Sequence, residues 1–280
     1  MSRFTKIDYS YHNHTYRCGH ASGKDEDYIQ QAIAAGIKVY GISDHVFLKN
    51  IEQPYMRGSY AFFLDYFASI KNLKEKYCHQ IDIYSAFEAE YLSDYLDYYK
   101  DLLVSKTVDY LIIGQHGFIQ DGEFVFYANL QVSPYEKLKR YLDDLISGMN
   151  TGLFRIVAHP DLFFSYYPRF DDIALEATRK IIQAAKDNHM ILEINLGGIR
   201  QGKNIHFGEY RYRYPVREFW IEVAKSKVPV MIGIDAHNPE NFHSSGLLAL
   251  EELIGDLPLN YVNRISFGND EAQVVIDEKK

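Results

Sequence analysis

The sequence predicts an α/β fold built around a parallel β-sheet, and two features of the 280-residue chain lead to this prediction. Short runs rich in Ile, Val and Tyr, which are residues that strands prefer, alternate with longer stretches in which apolar residues recur every three or four positions. Such alternation is typical of strand–helix units, whose parallel strands form either an open sheet or a closed barrel. In addition, polar side chains, mostly histidines, stand where the short runs end.

The individual elements follow from these patterns. In the first helical stretch, Tyr28, Ile29 and Ala32 recur at helical spacing, and Gly36 is a suitable end. A later stretch carries Phe219 and Trp220 in its apolar stripe. The predicted strands are 7–14, 38–45, 81–91, 110–117, 155–159, 190–196 and 228–235. The predicted helices are 25–35, 62–77, 134–148, 173–188, 215–226 and 244–254.

The composition is that of an ordinary globular protein. Hydrophobic residues make up 47% of the chain and charged residues 24%, so a sizeable core is expected. We expect residues 1–280 to form a single domain, because an α/β barrel commonly fills this length and no low-complexity linker interrupts the chain. The net charge of −8 argues against a surface that coats nucleic acid. A phosphorylated substrate would therefore need a local positive centre, either arginine or bound metal.

The cysteine content and the hydropathy indicate a cytoplasmic protein. Cys18 and Cys78 are far apart in sequence and form no disulfide framework, which fits a reducing compartment. The N-terminal residues contain no apolar stretch of signal-peptide length, and no segment approaches eighteen consecutive apolar residues. We therefore expect no membrane partner.

Imidazoles and carboxylates are concentrated at the ends of the predicted strands. The carboxyl ends of parallel strands meet on one face of a barrel or in one crevice of an open sheet, so these groups would converge. So many donors in one small volume would be costly without a cation to bind, and they therefore predict a metal site. The donors at strand ends are His12, His14, His45, Glu88, His116, His159, Asp235 and His237.

The spacing within two of these motifs suits chelation. His12 and His14 are two residues apart, so both imidazoles point to the same side of an extended strand and can bind one ion together. Asp235 and His237 repeat this geometry on the seventh strand. On the second predicted strand, Asp44 is adjacent to His45 and would point to the opposite side. We therefore expect its carboxylate to hold a histidine rather than a metal.

The donors are too numerous for one ion, since a site takes four to six ligands including water. Two or three divalent ions are therefore expected. Glu88 is a candidate bridge between them because a carboxylate has two oxygens, and Glu90 on the same strand face is the rival bridge. Ions about 3.5–4 Å apart that share a hydroxide are a recurrent solution for cleaving phosphoesters.

With these residues assembled, the chain resembles the polymerase-and-histidinol-phosphatase (PHP) family of metal-dependent phosphoesterases. The matching blocks are His-Asn-His-Thr at 12–15 with His20, Ser-Asp-His at 43–45, Phe-Glu-Ala-Glu-Tyr at 87–91, Gln-His at 115–116, Ala-His-Pro at 158–160 and Gly-Ile-Asp-Ala-His at 233–237. The resemblance implies a distorted, TIM-like seven-stranded (β/α) barrel with a trinuclear site of zinc, iron or manganese. It adds His20 to the eight strand-end donors as a ninth ligand, and it favours Glu88 over Glu90 as the bridge.

The resemblance is greatest to the histidinol-phosphate phosphatase branch, which hydrolyses L-histidinol phosphate in histidine biosynthesis. By this resemblance a metal-bridging hydroxide near Glu88, His159 and Asp235 would attack phosphorus, and no side chain is assigned as the general acid. The sequence departs from the branch at Ala86, where a glycine is expected. The sixth-strand segment also reads Asn-Leu-Gly-Gly at 195–198 instead of Asn-Thr-Ser-Gly, beside the expected substrate.

Arg200 is the candidate substrate-binding residue. It follows the sixth predicted strand at the same rim as the metal ligands, and its guanidinium suits a phosphate group. The alternative is a surface arginine in a basic loop, because Arg211, Arg213 and Arg217 follow it. Tyr-Arg-Tyr-Arg-Tyr at 210–214 is interpreted as an edge of the pocket wall rather than as a nucleic-acid surface. Substrate roles are also open for Glu193, Asn195, His206 and His243.

Three other functions remain possible at this point. Another phosphoesterase of the same family would act on nucleotides, sugar phosphates or phosphotyrosine. A non-catalytic, metal-stabilised domain would lack some of the ligands. A metal-dependent hydrolase of C–N bonds would usually need a carboxylated lysine as a bridge, and no lysine stands at a strand-end ligand position.

Overall fold

The computed structural model describes residues 6–242, 245–267 and 273–275 of the chain. Its strands in chain order are β1 (Tyr9–Ser10), β2 (Val39–Ile42), β3 (Asp82–Ala89), β4 (Tyr110–Ile113), β5 (Gly117–Gln120), β6 (Glu123–Phe126), β7 (Ile156–Val157), β8 (Ile191–Asn195), β9 (Asn204–His206), β10 (Glu209–Arg211), β11 (Pro229–Gly233), β12 (Asn260–Tyr261), β13 (Arg264–Ser266) and β14 (Gln273–Val275). Its helices are α1 (Asp25–Ala35), α2 (Phe63–Tyr77), α3 (Leu96–Val104), α4 (Pro134–Met149), α5 (Asp172–Asp187), α6 (Gly197–Arg200), α7 (Arg217–Ser226) and α8 (Ser245–Ile254).

The predicted strands all take part in one parallel sheet, in the order β1-β2-β3-β4-β7-β8-β11-β12. The α/β class is therefore confirmed, whereas the sheet has eight strands where the sequence predicts seven. The additional strand, β12, is too short to produce a sequence pattern and pairs with the amino-terminal half of β11. The fourth predicted strand, 110–117, ends at Ile113, and Gly117 begins a separate hairpin of β5 and β6.

The sheet curls until its first and seventh predicted strands meet. Beyond β1 and β11, Asp235 N donates to His12 O and His14 N donates to Ala236 O, each at 2.9 Å. Asn13 and Ala236 are thus paired as parallel neighbours. The carboxyl ends of these strands consequently surround one opening, and the polar motifs follow those ends.

The predicted helices are confirmed to within two residues at each end, because their end signals are strong. Gly36 ends α1 in the left-handed conformation with φ 83°. At the start of α4, Ser133 and Glu136 form a reciprocal capping box and Pro134 takes the first helical position. Helix α3 and the hairpins β5–β6, β9–β10 and β13–β14 were not predicted. None of the described helices is long and apolar enough to cross a membrane.

Alternating residues of the strands face two different apolar clusters. On β4, Leu111 and Ile113 belong to the larger cluster, which also contains the buried faces of the helices. Tyr110 and Ile112 belong to a smaller cluster, in which the ring of Phe267 stacks on that of Tyr110 with centroids 4.5 Å apart. Ala86, the position where the family has glycine, is fully buried in this smaller cluster. Packing therefore accounts for that departure.

Candidate metal centre

Backbone pairing beyond the strand ends brings the predicted ligands together. The pairing of Asn13 with Ala236 sets His12 and His14 beside Asp235 and His237. On the neighbouring strands, His45 is the parallel neighbour of Glu88. The resulting cavity of about 400 Å³ is lined by eight of the nine predicted ligands, namely His14, His20, His45, Glu88, His116, His159, Asp235 and His237. The ninth, His12, is buried directly beneath, in contact with His14.

The distances between the donor atoms are those of ligands that share a cation. Two atoms about 2.1 Å from one ion lie roughly 3.0–3.4 Å apart at octahedral or tetrahedral angles. His14 Nε2 lies 3.1 Å from both His12 Nε2 and Asp235 Oδ1. His45 Nδ1 lies 3.1 Å from Glu88 Oε2. These atoms belong to two groups that could each hold an ion, His12–His14–Asp235 and His45–Glu88–His116.

The two carboxylate oxygens of Glu88 face different sets of imidazoles. Oε1 lies 3.2 Å from His159 Nε2 and 3.7 Å from His116 Nε2. Oε2 lies 3.1 Å from His45 Nδ1 and 3.3 Å from His12 Nε2. A carboxylate in this position can bridge two cations. Glu90 lies further out, where its oxygens contact the Nδ1 atom of His116 at 3.1 Å and the guanidinium of Arg57 at 2.8 Å.

Two buried donor atoms in the cluster are close to other donors but make no hydrogen bond. His45 Nδ1 and Asp235 Oδ1 are each within 3.1 Å of a cluster atom, and neither has hydrogen-bonding geometry. Buried polar atoms are normally satisfied, so their orientation needs a reason. Coordination of a divalent cation between the neighbouring donors would satisfy them, and the residues present fit such an ion.

The backbone is strained at two of the predicted ligands. His159 has φ 31° and Asp235 has φ 53°, values in the left-handed region that favours glycine. Strain of this kind persists only where the surrounding structure over-determines it, and it clusters at functional sites. At both positions it occurs where the chain turns out of a strand and directs a donor into the cavity.

Carboxylates outside the cluster hold the rings of the histidines. His12 Nδ1 lies 2.8 Å from Glu193 Oε1, which leaves Nε2 on the cavity side. Asp44 Oδ1 lies 3.4 Å from His14 Nδ1 and accepts the backbone N–H of His45 at 2.8 Å, as expected for a supporting residue. Such partners fix the ring orientation and raise the basicity of the ligand. The interpretation of Asp44 thus agrees with the structure.

At several donors, burial and neighbouring charges favour the protonation state that binds metal. Burial alone would raise the pKa of Glu88, but the surrounding imidazoles, His12 foremost, hold it well below its usual range. The pKa of Asp235 is held low in the same way, against the effect of burial. Burial and the neighbouring charge of His14 lower the pKa of His237 to about 3. Ionised carboxylates and neutral imidazoles are the forms that bind metal.

Arg200 lines the same cavity as the donors. Its guanidinium Nη2 donates to the backbone carbonyl of Asp235 at 2.6 Å, and Nη1 donates to that of Ile234. The side chain is therefore fixed at the rim of the cavity, as a substrate-binding arginine would be. Glu193 and Asn195 instead bond to each other and to the strand ends below the cavity.

The other residues singled out in the sequence differ in their distance from the donors. Cys18 is buried and its thiol donates to Thr15 O at 3.1 Å, which fits a packing role although its sulfur is near His20 and His237. His206 does not line the cavity, and His243 lies outside the described residues. The sequence analysis gave no individual role to Arg213 or Tyr214, which do line the cavity. The only sequence feature that marked these two residues was the alternation of Tyr and Arg at 210–214.

Imidazoles and carboxylates clustered at the carboxyl ends of parallel strands in an α/β fold are the arrangement of a metal-dependent enzyme. The chain belongs to the PHP domain family, whose pattern it matches over residues 10–196. The predicted family is thereby confirmed, and the match contains seven of the nine predicted ligands. Asp235 and His237 follow it in sequence, and the backbone of Asp235 and Ala236 pairs with the segment after β1.

Curated relatives and solved structures agree with this assignment. A probable histidinol-phosphatase of Deinococcus radiodurans is 25% identical over 236 residues, which are 81% of this chain and 85% of the relative. Another, of Schizosaccharomyces pombe, is 23% identical over 261 residues, 85% of this chain and 82% of the relative. The histidinol phosphate phosphatase of Lactococcus lactis, solved with zinc, L-histidinol and phosphate, superposes with TM-score 0.72 at 16% identity, covering 96% of this chain and all of its own. The last comparison establishes a shared fold.

Proposed function

We propose that this chain is a metal-dependent phosphomonoesterase that hydrolyses L-histidinol phosphate to L-histidinol and inorganic phosphate. The observation that carries the proposal is the convergence of imidazoles and carboxylates on one cavity that a fixed arginine, Arg200, also lines. The relatives named histidinol-phosphatases align with more than four fifths of the chain and support the choice of substrate. The cavity of about 400 Å³ has room for a small phosphorylated molecule.

The metal part of the proposal is two or three divalent ions, either zinc, iron or manganese. When bound, such ions lower the pKa of a coordinated water and neutralise charge on the phosphoryl oxygens. We assign the bridging position to Glu88, because its two oxygens face different imidazoles. The proposed ligands are His12, His14, His20, His45, Glu88, His116, His159, Asp235 and His237.

The roles proposed for the phosphate-binding residue and for the residues around the nucleophile rest on their positions in the cavity. Arg200 would bind a phosphoryl oxygen, since its guanidinium is held by two carbonyls at the cavity rim and keeps further N–H groups to donate. Glu88, His159 and Asp235 surround the place where the nucleophile would be held. No side chain is assigned as the general acid.

The architecture and location form part of the same proposal. Residues 1–280 would form one domain, because β11, α7 and α8 follow the family match yet complete its sheet and core. The strands from β1 to β11 in the sheet would be the seven of the family's distorted barrel, with β12 as an addition. A cytoplasmic location fits the two free cysteines.

Phosphate release from a panel of substrates tests the function. Purified protein supplied with Mn²⁺ or Zn²⁺ should hydrolyse histidinol phosphate with a kcat/KM at least about tenfold above that for AMP or a phosphotyrosine peptide, because binding of the whole leaving group adds to the shared phosphoryl contacts. Similar or reversed ratios would contradict the substrate and leave a family phosphoesterase with another specificity.

A ligand variant separates the chemistry from the substrate. Asp235→Asn should abolish activity on every phosphomonoester, whereas Asp143→Asn, at an exposed carboxylate on α4, should leave all activities unchanged. Full activity of Asp235→Asn would contradict the metal centre itself. Hydrolysis of C–N bonds is disfavoured, because no lysine lines the cavity in the part of the chain that the structure describes.

A further inference from the structure

Four arginines follow the sixth predicted strand, and the structure gives them different surroundings. The guanidinium of Arg211 donates to three backbone carbonyls. Arg217 forms a bidentate ion pair with Asp256, with N–O distances of 2.6–2.7 Å. Arg213, between them in sequence, lines the metal cavity together with Arg200. Arg211 and Arg217 are therefore structural residues, whereas Arg200 and Arg213 both line the cavity that holds the donors.

Arg213 is a cation held in place without a countercharge from the protein. Its Nε donates to Ser165 Oγ at 2.6 Å, which fixes the plane of the guanidinium. Across residues 6–242, 245–267 and 273–275, no carboxylate lies within 4.0 Å of its nitrogen atoms, and no hydrogen bond engages its two Nη groups. A guanidinium of this kind beside a metal cavity is suited to an anionic ligand.

Tyr214 places a second unused donor in the same cavity. Its side chain is buried and its ring centroid lies 5.6 Å from that of His159. Among the described residues, no hydrogen bond engages its hydroxyl group, although this group reaches the cavity wall. A hydroxyl that is turned toward a ligand site and has no protein partner is available to the ligand.

Gly198 allows the backbone of this tyrosine to approach closely. A Cβ atom on Gly198 would collide with the carbonyl oxygen of Tyr214, so only glycine fits there. A Cβ atom on Gly197 would stand 2.7 Å from Asp235 Oδ2 and 3.4 Å from the Tyr214 hydroxyl. The close approach of the 213–214 loop therefore requires the glycine at 198, which the family's Asn-Thr-Ser-Gly segment also has, while the departure at Gly197 leaves space beside Asp235.

We infer that Arg213 and Tyr214 form a second substrate-binding wall of the cavity, in addition to Arg200. Arg213 donates its Nη groups to the non-bridging oxygens of the phosphate, and the Tyr214 hydroxyl donates to the same substrate. This inference rests on the proposed function for the identity of the substrate, but its phosphate component can be tested without it. Ser165 holds the guanidinium of Arg213, and Gly198 allows the close approach of Tyr214, so both residues are fixed beside the cavity.

Binding of inorganic phosphate to the metal-loaded protein tests the role of Arg213. Arg213→Gln should weaken phosphate binding, measured by calorimetry and as the competitive inhibition constant, about 10- to 100-fold, the loss typical of a charged hydrogen-bond donor. Arg213→Lys should weaken phosphate binding about 3- to 10-fold, because lysine keeps the charge but lacks the planar pair of N–H donors of the guanidinium. Arg217→Gln removes the same charge from the same segment outside the cavity and should match the wild type.

Further measurements exclude indirect effects. Metal content and melting temperature of Arg213→Lys should equal those of the wild type, so that a loss of phosphate affinity reports a lost contact. Tyr214→Phe should raise KM for the phosphomonoester about 2- to 10-fold, as expected for one neutral hydrogen bond. Phosphate affinities of both Arg213 variants within twofold of the wild type would overturn the inference. Failure of histidinol phosphate as a substrate, with phosphate binding still sensitive to Arg213, would instead contradict only the proposed function.

Discussion

The two ring nitrogens of His12 have separate partners. Nδ1 lies 2.8 Å from Glu193 Oε1, and Nε2 lies among the cavity donors, 3.1 Å from His14 Nε2. Because Glu193 accepts the Nδ1 proton, Nε2 is the nitrogen that would bind a cation, after losing the proton that the neighbouring carboxylates favour by raising the pKa of His12. Glu193 is itself oriented by the side-chain amide of Asn195 at 2.8 Å. Glu193, for which the sequence left a substrate role open, therefore holds the ring of His12.

Replacing Glu193 should weaken metal binding without removing a ligand. We expect Glu193→Gln to lower the affinity for Zn²⁺ or Mn²⁺ about 10- to 100-fold, because an amide orients the imidazole of His12 less firmly and makes it less basic. Calorimetric titration of the metal-free protein measures the affinity. Glu176→Gln, at an exposed residue of α5 that pairs with Lys180, is the control. Equal affinities in the two variants would show that His12 needs no such support.

The two cysteines should differ in reactivity. Burial raises the pKa of the Cys18 thiol, which also donates to Thr15 O, whereas Cys78 is exposed. Because the thiolate is the reactive form, an aromatic disulfide reagent should modify one thiol in the native protein and two in denaturant. Cys78→Ser should remove the fast reaction. Rapid native labelling of that variant would show that Cys18 is accessible, contrary to the packing role.

At the scale of the elements, glycines near the strand ends make space for carboxylates on neighbouring strands. A Cβ atom on Gly114, just after β4, would overlap Glu88 Oε1. A Cβ atom on Gly233, the last residue of β11, would overlap Glu193 Oε1. Glycine costs a strand some stability, so its presence here is explained by the close approach of the carboxylates. These positions link the sheet to the geometry of the cavity.

Adding one methyl group at Gly114 should therefore disturb the site more than the fold. Gly114→Ala should displace the Glu88 carboxylate, reduce the bound metal measured by mass spectrometry, and lower kcat at least about tenfold. Its unfolding free energy should fall by about 1–3 kcal/mol, the usual cost of overpacking. Gly246→Ala is the control, since the added Cβ would meet its nearest neighbours at an ordinary 3.7 Å. Normal metal content in Gly114→Ala would contradict this account of Glu88.

The sequence predicts elements where local signals are strong and fails where the structure depends on distant contacts. Helix α1 has its predicted bounds because Gly36 ends it, and the imidazoles of His12 and His14 lie side by side because alternate residues of a strand point the same way. In contrast, β12 has two residues and exists through its pairing with β11. The positions of Arg213 and Tyr214 beside the cavity depend on a loop that returns to Gly198 from sixteen positions later, which no local pattern encodes.

At the scale of the whole molecule, the donor cluster joins the segments that follow β1 and β11, the first and seventh strands of the curled sheet. His14 belongs to the segment after β1 and Asp235 to the segment after β11, and their donor atoms lie 3.1 Å apart. A cation bound between them would bind the folded chain and not the unfolded one, so metal should stabilise the whole protein. Chelation should lower the melting temperature and abolish phosphatase activity, and restoring Zn²⁺ or Mn²⁺ should recover both. An unchanged melting temperature after verified metal removal would contradict this linkage.

The stabilisation by metal should grow as the pH rises from 6 toward 9. Burial opposes the charged form of His14, but its interactions with the carboxylates of Asp235 and Asp44 outweigh it and raise its pKa from the ordinary 6.5 to about 9. In the metal-free protein this ion pair stabilises the fold fully below pH 6.5, and its contribution is lost as the pH rises through about 9.

Metal binding requires the neutral imidazole of His14, so it must release that proton at neutral pH. The apparent affinity should accordingly tighten about tenfold per pH unit for each proton released, up to about pH 9. Melting temperatures of metal-loaded and metal-free protein, compared from pH 6 to 9, measure the difference directly. Calorimetric titrations in two buffers of different ionisation enthalpy count the protons. A melting-temperature difference that is constant or larger at acid pH would show that His14 is already neutral before the metal binds.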